Sequence, residues 1–133
     1  MEQFVNQYTI LFNKAKTDFN AARHLYTEFL KGQGEIDLEI VFFHLQQSAE
    51  KCLKAILSKS MINFPKVHDL ELLVNLVFQA KNELTVNIEL LTELSDFAVE
   101  GRYAIIHDEL ENTEIYFKEL ESLLEQTNIF LMQ

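Results

Sequence analysis

The stretch Phe43–Leu57, FHLQQSAEKCLKAIL, decides the fold. Together with Val41, it sets Leu45, Ala49, Cys52 and Ile56 three or four residues apart, the repeat that gathers side chains onto one face of a helix. The pattern predicts a helix that begins near Asp37 and is stopped by the polar turn before Pro65, because the residue preceding a proline is driven out of the helical region. Glu50 stands four residues ahead of Lys54, the favourable order for an acid and a base on a helix surface, worth about 0.2–0.5 kcal/mol. Gln46, Gln47, Glu50, Lys51 and Lys54 are accordingly expected to form a solvated face.

Outward from this helix the same repeat continues in both directions. Tyr8, Phe12, Ala15, Phe19, Ala22, Tyr26 and Phe29 form a stripe with a period near 3.6, ended by Gly32 and Gly34. A short third helix is expected from Asp69 through Leu73, Leu76 and Val77, with Asp69 capping its first amides. After a break around Asn82, a fourth pattern runs from about Thr85 to Ile106. A fifth aligns Leu110, Phe117, Leu120, Leu124 and Leu131. With three Gly, one Pro and no strand-type alternation, the expected fold is all-α: an up-and-down four-helix bundle with one additional short helix.

Size and composition narrow the function. The 133 residues suit a single domain spanning 1–133, and 48% hydrophobic with 24% charged residues is a globular composition. Cys52 is the one cysteine and no signal-like segment opens the sequence, so a reducing cytoplasm is expected. No apolar run approaches the roughly 18–20 residues that span a bilayer. Eleven Lys and Arg against 21 Asp and Glu leave a net charge of −10. Because nucleic-acid affinity rests largely on neutralising phosphates, contact with RNA has to be local.

The histidines offer no metal site. His68 and Asp69 are adjacent, but His24, His44 and His107 show no ligand spacing with them, and a stable zinc centre converges three or four ligands. A helix cap and loop anchor is the expected role of the pair, and neither metal nor cofactor is expected. The fourth pattern carries more chemistry. Asp96, Glu100, Tyr103 and His107 fall on one polar stripe, whereas Arg102 shares the row of Leu91, Ser95, Ala98 and Ile105, where a guanidinium needs a carboxylate or a bound phosphate. Glu100, about two turns before His107 on its own face, and Glu111, one turn on, favour its protonated ring.

In its order of motifs the chain resembles the HEPN family. These are the Gln46-Gln47-x-x-Glu50-Lys51-x-x-Lys54-Ala55 run, Pro65, His68-Asp69, and Arg102-Tyr103 followed by His107, and the likeness covers roughly Asn6 to Phe130. The resemblance implies a helical protein that acts beside a minimal nucleotidyltransferase, as in toxin–antitoxin pairs, and forms a homodimer. Arg102 and His107 match the Arg-x4-His form of the motif of metal-independent HEPN ribonucleases. The resemblance thus makes His107 an acid/base and Arg102 a phosphate holder, with Tyr103 and Lys54 binding RNA or a nucleotide.

The chain also departs from the pattern. Arg102 and His107 lie about 140° apart on an ideal helix, so one site needs a kink or the second subunit. Asp108 and Glu109 follow the histidine where toxins carry a tyrosine. Arg102-Tyr103-Ala104 approaches the Arg-Tyr-Pro signature of the non-catalytic branch, which leaves a nucleotide-binding or scaffolding module as the alternative to an endoribonuclease.

Overall fold

The apolar stripe that begins at Tyr8 folds as expected. A computed structural model describes residues 7–32, 36–80, 83–97 and 112–133, and these hold helices α1 (Gln7–Leu30), α2 (Leu38–Lys59), α3 (Leu70–Gln79), α4 (Ile88–Ser95) and α5 (Thr113–Leu131), with no strand among them. Phe12, Ala15, Ala22 and Tyr26 of α1 are buried, with Tyr8, Phe19 and Phe29 packed at the margin of the core. The protein is all-helical, with three long helices and two short ones among the described residues.

The helices α1 and α2 pair antiparallel along a seam of small residues. Ala15 and Ser48 are fully buried there, and the Ser48 hydroxyl donates to the Ala15 carbonyl at 2.8 Å. The third long helix, α5, runs parallel to α2 and antiparallel to α1. Phe117 of α5 meets Phe19 edge-on, with ring centroids 5.8 Å apart, and packs against Tyr26 at 5.3 Å. Arg23 closes this contact from outside: its guanidinium lies 4.0 Å from the Phe117 centroid and reaches Glu114 and Glu121, each at 3.2 Å. At the other end Lys59 donates to the main-chain oxygens of Phe130, Leu131 and Gln133, closing the negative end of α5.

The short helices cover the remaining flank of α2. Asp69 caps α3 by accepting from the Leu72 amide, and Asn87 caps α4 by accepting from the Leu90 amide. The Gln126 side chain pairs with both the amide and the carbonyl of Thr85 at 2.8 Å, tying the approach to α4 onto α5. The fourth sequence pattern predicts a helix through Ile106, but α4 closes at Ser95. There Asp96 and Phe97 donate back only three residues, to Glu93 and Leu94, and the Ser95 hydroxyl turns to the Leu70 amide at 3.0 Å. Phe97 then stacks on Phe42 at 5.1 Å. The continuation to Ile106, like Leu110 of the fifth pattern, lies outside the described residues.

The ends of α1 and α2 have the same backbone form with different residues. Gly32 takes φ +69° after α1. Met61 takes φ 60° after α2, where its amide bonds to the Ser58 carbonyl and the Ile62 amide to the Leu57 carbonyl, the paired bonds of a left-handed helix termination. A non-glycine residue is strained in that conformation by about 1–2 kcal/mol. Gly32→Ala is therefore expected to lower stability by about 1 kcal/mol through backbone strain alone, since an added Cβ meets nothing within 4 Å. Met61→Gly should raise stability by about 0.5 kcal/mol, the relief less the added freedom of the unfolded chain. Urea unfolding of both variants checks the pair.

Candidate functional site

The residues expected on a solvated face of α2 line a largely buried network instead. Thirteen of the 22 residues of α2 are buried, and they include Gln46, Ser48 and Glu50. Each buried polar group has a partner. Glu50 Oε2 accepts from Lys54 Nζ at 2.9 Å, while Oε1 meets His68 Nδ1 at 2.8 Å and accepts from Gln46 Nε2 at 3.0 Å. Gln46 Nε2 also donates to the His68 carbonyl at 3.2 Å, and Gln46 Oε1 accepts from Gln47. The His68-Asp69 pair thus divides its work, with one residue anchoring the connection to α2 and the other capping α3.

Electrostatics hold the network in its charged form. Burial by itself pushes the Glu50 carboxyl up, but hydrogen bonds from Lys54, Gln46 and His68 outweigh it and keep it below the ordinary glutamate value of 4.5. A second network joins α1 to α2. Asp18 Oδ1 meets His44 Nδ1 at 2.9 Å, and Oδ2 accepts from Lys51. Burial again opposes the charge, and the bonds from His44 and Lys51 prevail and hold the Asp18 carboxyl below 3.8. Neither Asp18 nor His44 stands out in the sequence. The available signal is that His44 and Lys51, seven residues apart, share one face of α2, where an acid on a neighbouring helix can meet both.

Cys52 lies fully buried against Thr127, and burial pushes its thiol up to about 12, far from the reactive thiolate form. Among the described residues no cluster of three or more His, Cys, Asp or Glu stands ready for a metal ion. A surface groove of about 500 Å³ opens between Gln7 and the α2–α3 connection, lined by Ser58, Asn63, Phe64 and Lys66 among others. Another, of about 700 Å³, lies along Thr85–Glu89 against Glu119 and Ser122.

Of the residues that the sequence nominates, Lys54 is described, and it is held in its pair with Glu50 with its side chain 14% exposed. Arg102, Tyr103 and His107 lie outside the described residues. The chain on either side of them is fixed at one place, since Phe97 stacks on Phe42 and Tyr116 meets the same ring edge-on at 5.1 Å.

These features define a class of protein: an all-helical module whose most buried helix carries carboxylate, imidazole, ammonium and amide groups in one network. The chain belongs to the HEPN domain family, whose sequence profile matches residues 8–132, nearly its whole length. That membership supports a nucleotide- or RNA-related module. Neither a curated protein nor a solved structure matches the chain. Among the described residues no helix is long and apolar enough to cross a membrane.

Removing the Glu50 charge tests the network. Glu50→Gln leaves Lys54 and His68 without their shared acceptor and is expected to cost about 3 kcal/mol, as for other broken buried pairs. The acid limb should also change. Glu50 and Asp18 bind protons less readily folded than unfolded, so their contribution is complete above about pH 5 and is lost as pH falls through their folded values. Urea midpoints measured from pH 7 to pH 3 should fall less steeply for Glu50→Gln than for the wild type.

Proposed function

We propose that residues 1–133 form one HEPN-like unit, an up-and-down four-helix bundle with one short helix, which acts in the cytoplasm as a homodimer beside a separately encoded minimal nucleotidyltransferase. In this toxin–antitoxin-like pair it is the toxin, a metal-independent endoribonuclease. The observation that carries the reading is that Arg102 and His107, at the Arg-x4-His spacing, fall inside the segment that matches the family. His107 takes the proton of the RNA 2′-hydroxyl, whose oxygen attacks the adjacent phosphorus. Arg102 stabilises the charge on the phosphorane, and the P–O5′ bond breaks as His107 returns the proton to the 5′-oxygen, leaving a 2′,3′-cyclic phosphate. Tyr103 lines the cleft between two copies, and Lys54 contributes to its rim. The second copy is a condition of activity because the two motif residues diverge by about 140° on a regular helix.

A second reading is favoured by the net charge of −10 and by the Arg102-Tyr103 pair followed by Ala104. Here the protein is a non-catalytic nucleotide-binding or scaffolding module, with Arg102, Tyr103 and Lys54 as its contacts. Incubation of purified protein with a mixed structured RNA in EDTA separates the two. Cleavage by the wild type that is lost in His107→Ala and in Arg102→Ala is the expected result. No cleavage, or equal cleavage by all three proteins, removes the nuclease, and saturable nucleotide binding lost in Arg102→Ala would then identify the module.

A further inference from the structure

Residues 51–68 carry Lys51, Lys54, Lys59, Lys66 and His68 without a single Asp or Glu, whereas the rest of the chain sets seven Lys and Arg against all 21 acids. Structural contacts occupy three of these lysines: Lys51 faces Asp18, Lys54 faces Glu50, and Lys59 closes α5. Lys66 is exposed, with no carboxylate at ion-pair distance among the described residues. The His68 side chain is 53% exposed. It is held through its ring by Glu50 and through its carbonyl by Gln46, which turns Nε2 away from the carboxylate.

These two exposed groups flank an aromatic surface. Phe64 and Asn63 line the groove of about 500 Å³ together with Lys66. From there contacts continue to His68 without a break, because Lys54 Nζ lies 5.7 Å from the Phe64 centroid and donates to Glu50, which meets His68. The groove along α4 is of opposite character, for Glu89 and Glu119 line it.

We propose that the α2–α3 connection is a docking surface for single-stranded RNA, with a base on the Phe64 ring and phosphates against Lys66 and His68. Charge complementarity selects this occupant, since most of the surface repels a polyanion, whereas residues 51–68 hold four lysines and no acid beside an aromatic ring and the Asn63 amide. The proposal rests on the RNA-directed reading above and adds a contact surface remote in sequence from Arg102 and His107.

Fluorescence anisotropy of a labelled ten-nucleotide uridine RNA, titrated with the full chain carrying His107→Ala, tests it without cleavage. Saturable binding is expected, weakened about tenfold when Phe64→Leu removes the flat ring and comparably by Lys66→Glu. The Lys66 phosphate contact gives a log–log salt slope of about −0.7, which is lost in Lys66→Gln. Circular dichroism and urea midpoints establish that each variant is folded. Undetectable binding, unchanged binding in all the variants, or displacement by polyglutamate as effective as by unlabelled RNA each overturns the surface. Failure here is distinct from failure of the nuclease: wild-type cleavage with no effect of these variants removes only the surface, and binding without wild-type cleavage removes only the nuclease.

Discussion

A helix buried around most of its circumference cannot leave its polar side chains in water, and α2 is such a helix. Ala15 and Ser48 let α1 approach closely, and α5, α3 and α4 cover most of what remains. An unpartnered carboxylate or amide in that position would carry the full cost of desolvation. Gln46, Glu50, Lys54 and His68 avoid this by satisfying one another, and no buried side-chain polar atom lacks a partner among the described residues. The network also fixes the path of the chain, because the connection to α3 can lie in only one way if His68 is to meet Glu50 while Asp69 caps the next helix.

Central burial also determines where the cations go. Lys51 and Lys54 neutralise carboxylates at the edges of α2, Lys59 closes α5, and Arg23 joins α1 to α5 over Phe117. Such contacts add packing and geometry as well as charge, since Arg23 offers a planar face to the ring and separate nitrogens to Glu114 and Glu121. Among the described residues Lys14, Lys16, Lys66 and Lys118 make no ion pair, in a chain of net charge −10. Attraction for a phosphate backbone is therefore confined to small regions.

Periodicity made most of the helices legible. The α1 stripe, the Val41-to-Ile56 face of α2 and the cap at Asp69 follow from spacing and from the chemistry of a short acid side chain, and the structure has each of them. The polar run of α2 was misread because a Glu50–Lys54 pair has the same spacing whether water or protein surrounds it. Its burial depends on α3 and the loop before it, partners distant in sequence. The end of α4 was missed for a similar reason. Nothing local marks Ser95 as a terminus, and its hydroxyl turns to Leu70, twenty-five residues away.

Sequence and structure bear on different parts of the candidate site. Spacing in the sequence nominates Arg102 and His107 as candidates, while the structure places Lys54 and His68 around one buried carboxylate and sets Phe97 and Tyr116 against one ring. Burial changes the role of Lys54. As part of the Gln-Gln-x-x-Glu-Lys-x-x-Lys-Ala run it looks like a free cation for a phosphate, yet its ammonium is already shared with Glu50. Releasing it to a ligand would leave a buried charge uncompensated, so Lys54 can face a phosphate only while it stays bonded to Glu50. Through Glu50 it links Phe64 to His68, and around that carboxylate Lys66 and the His68 ring are the more exposed groups.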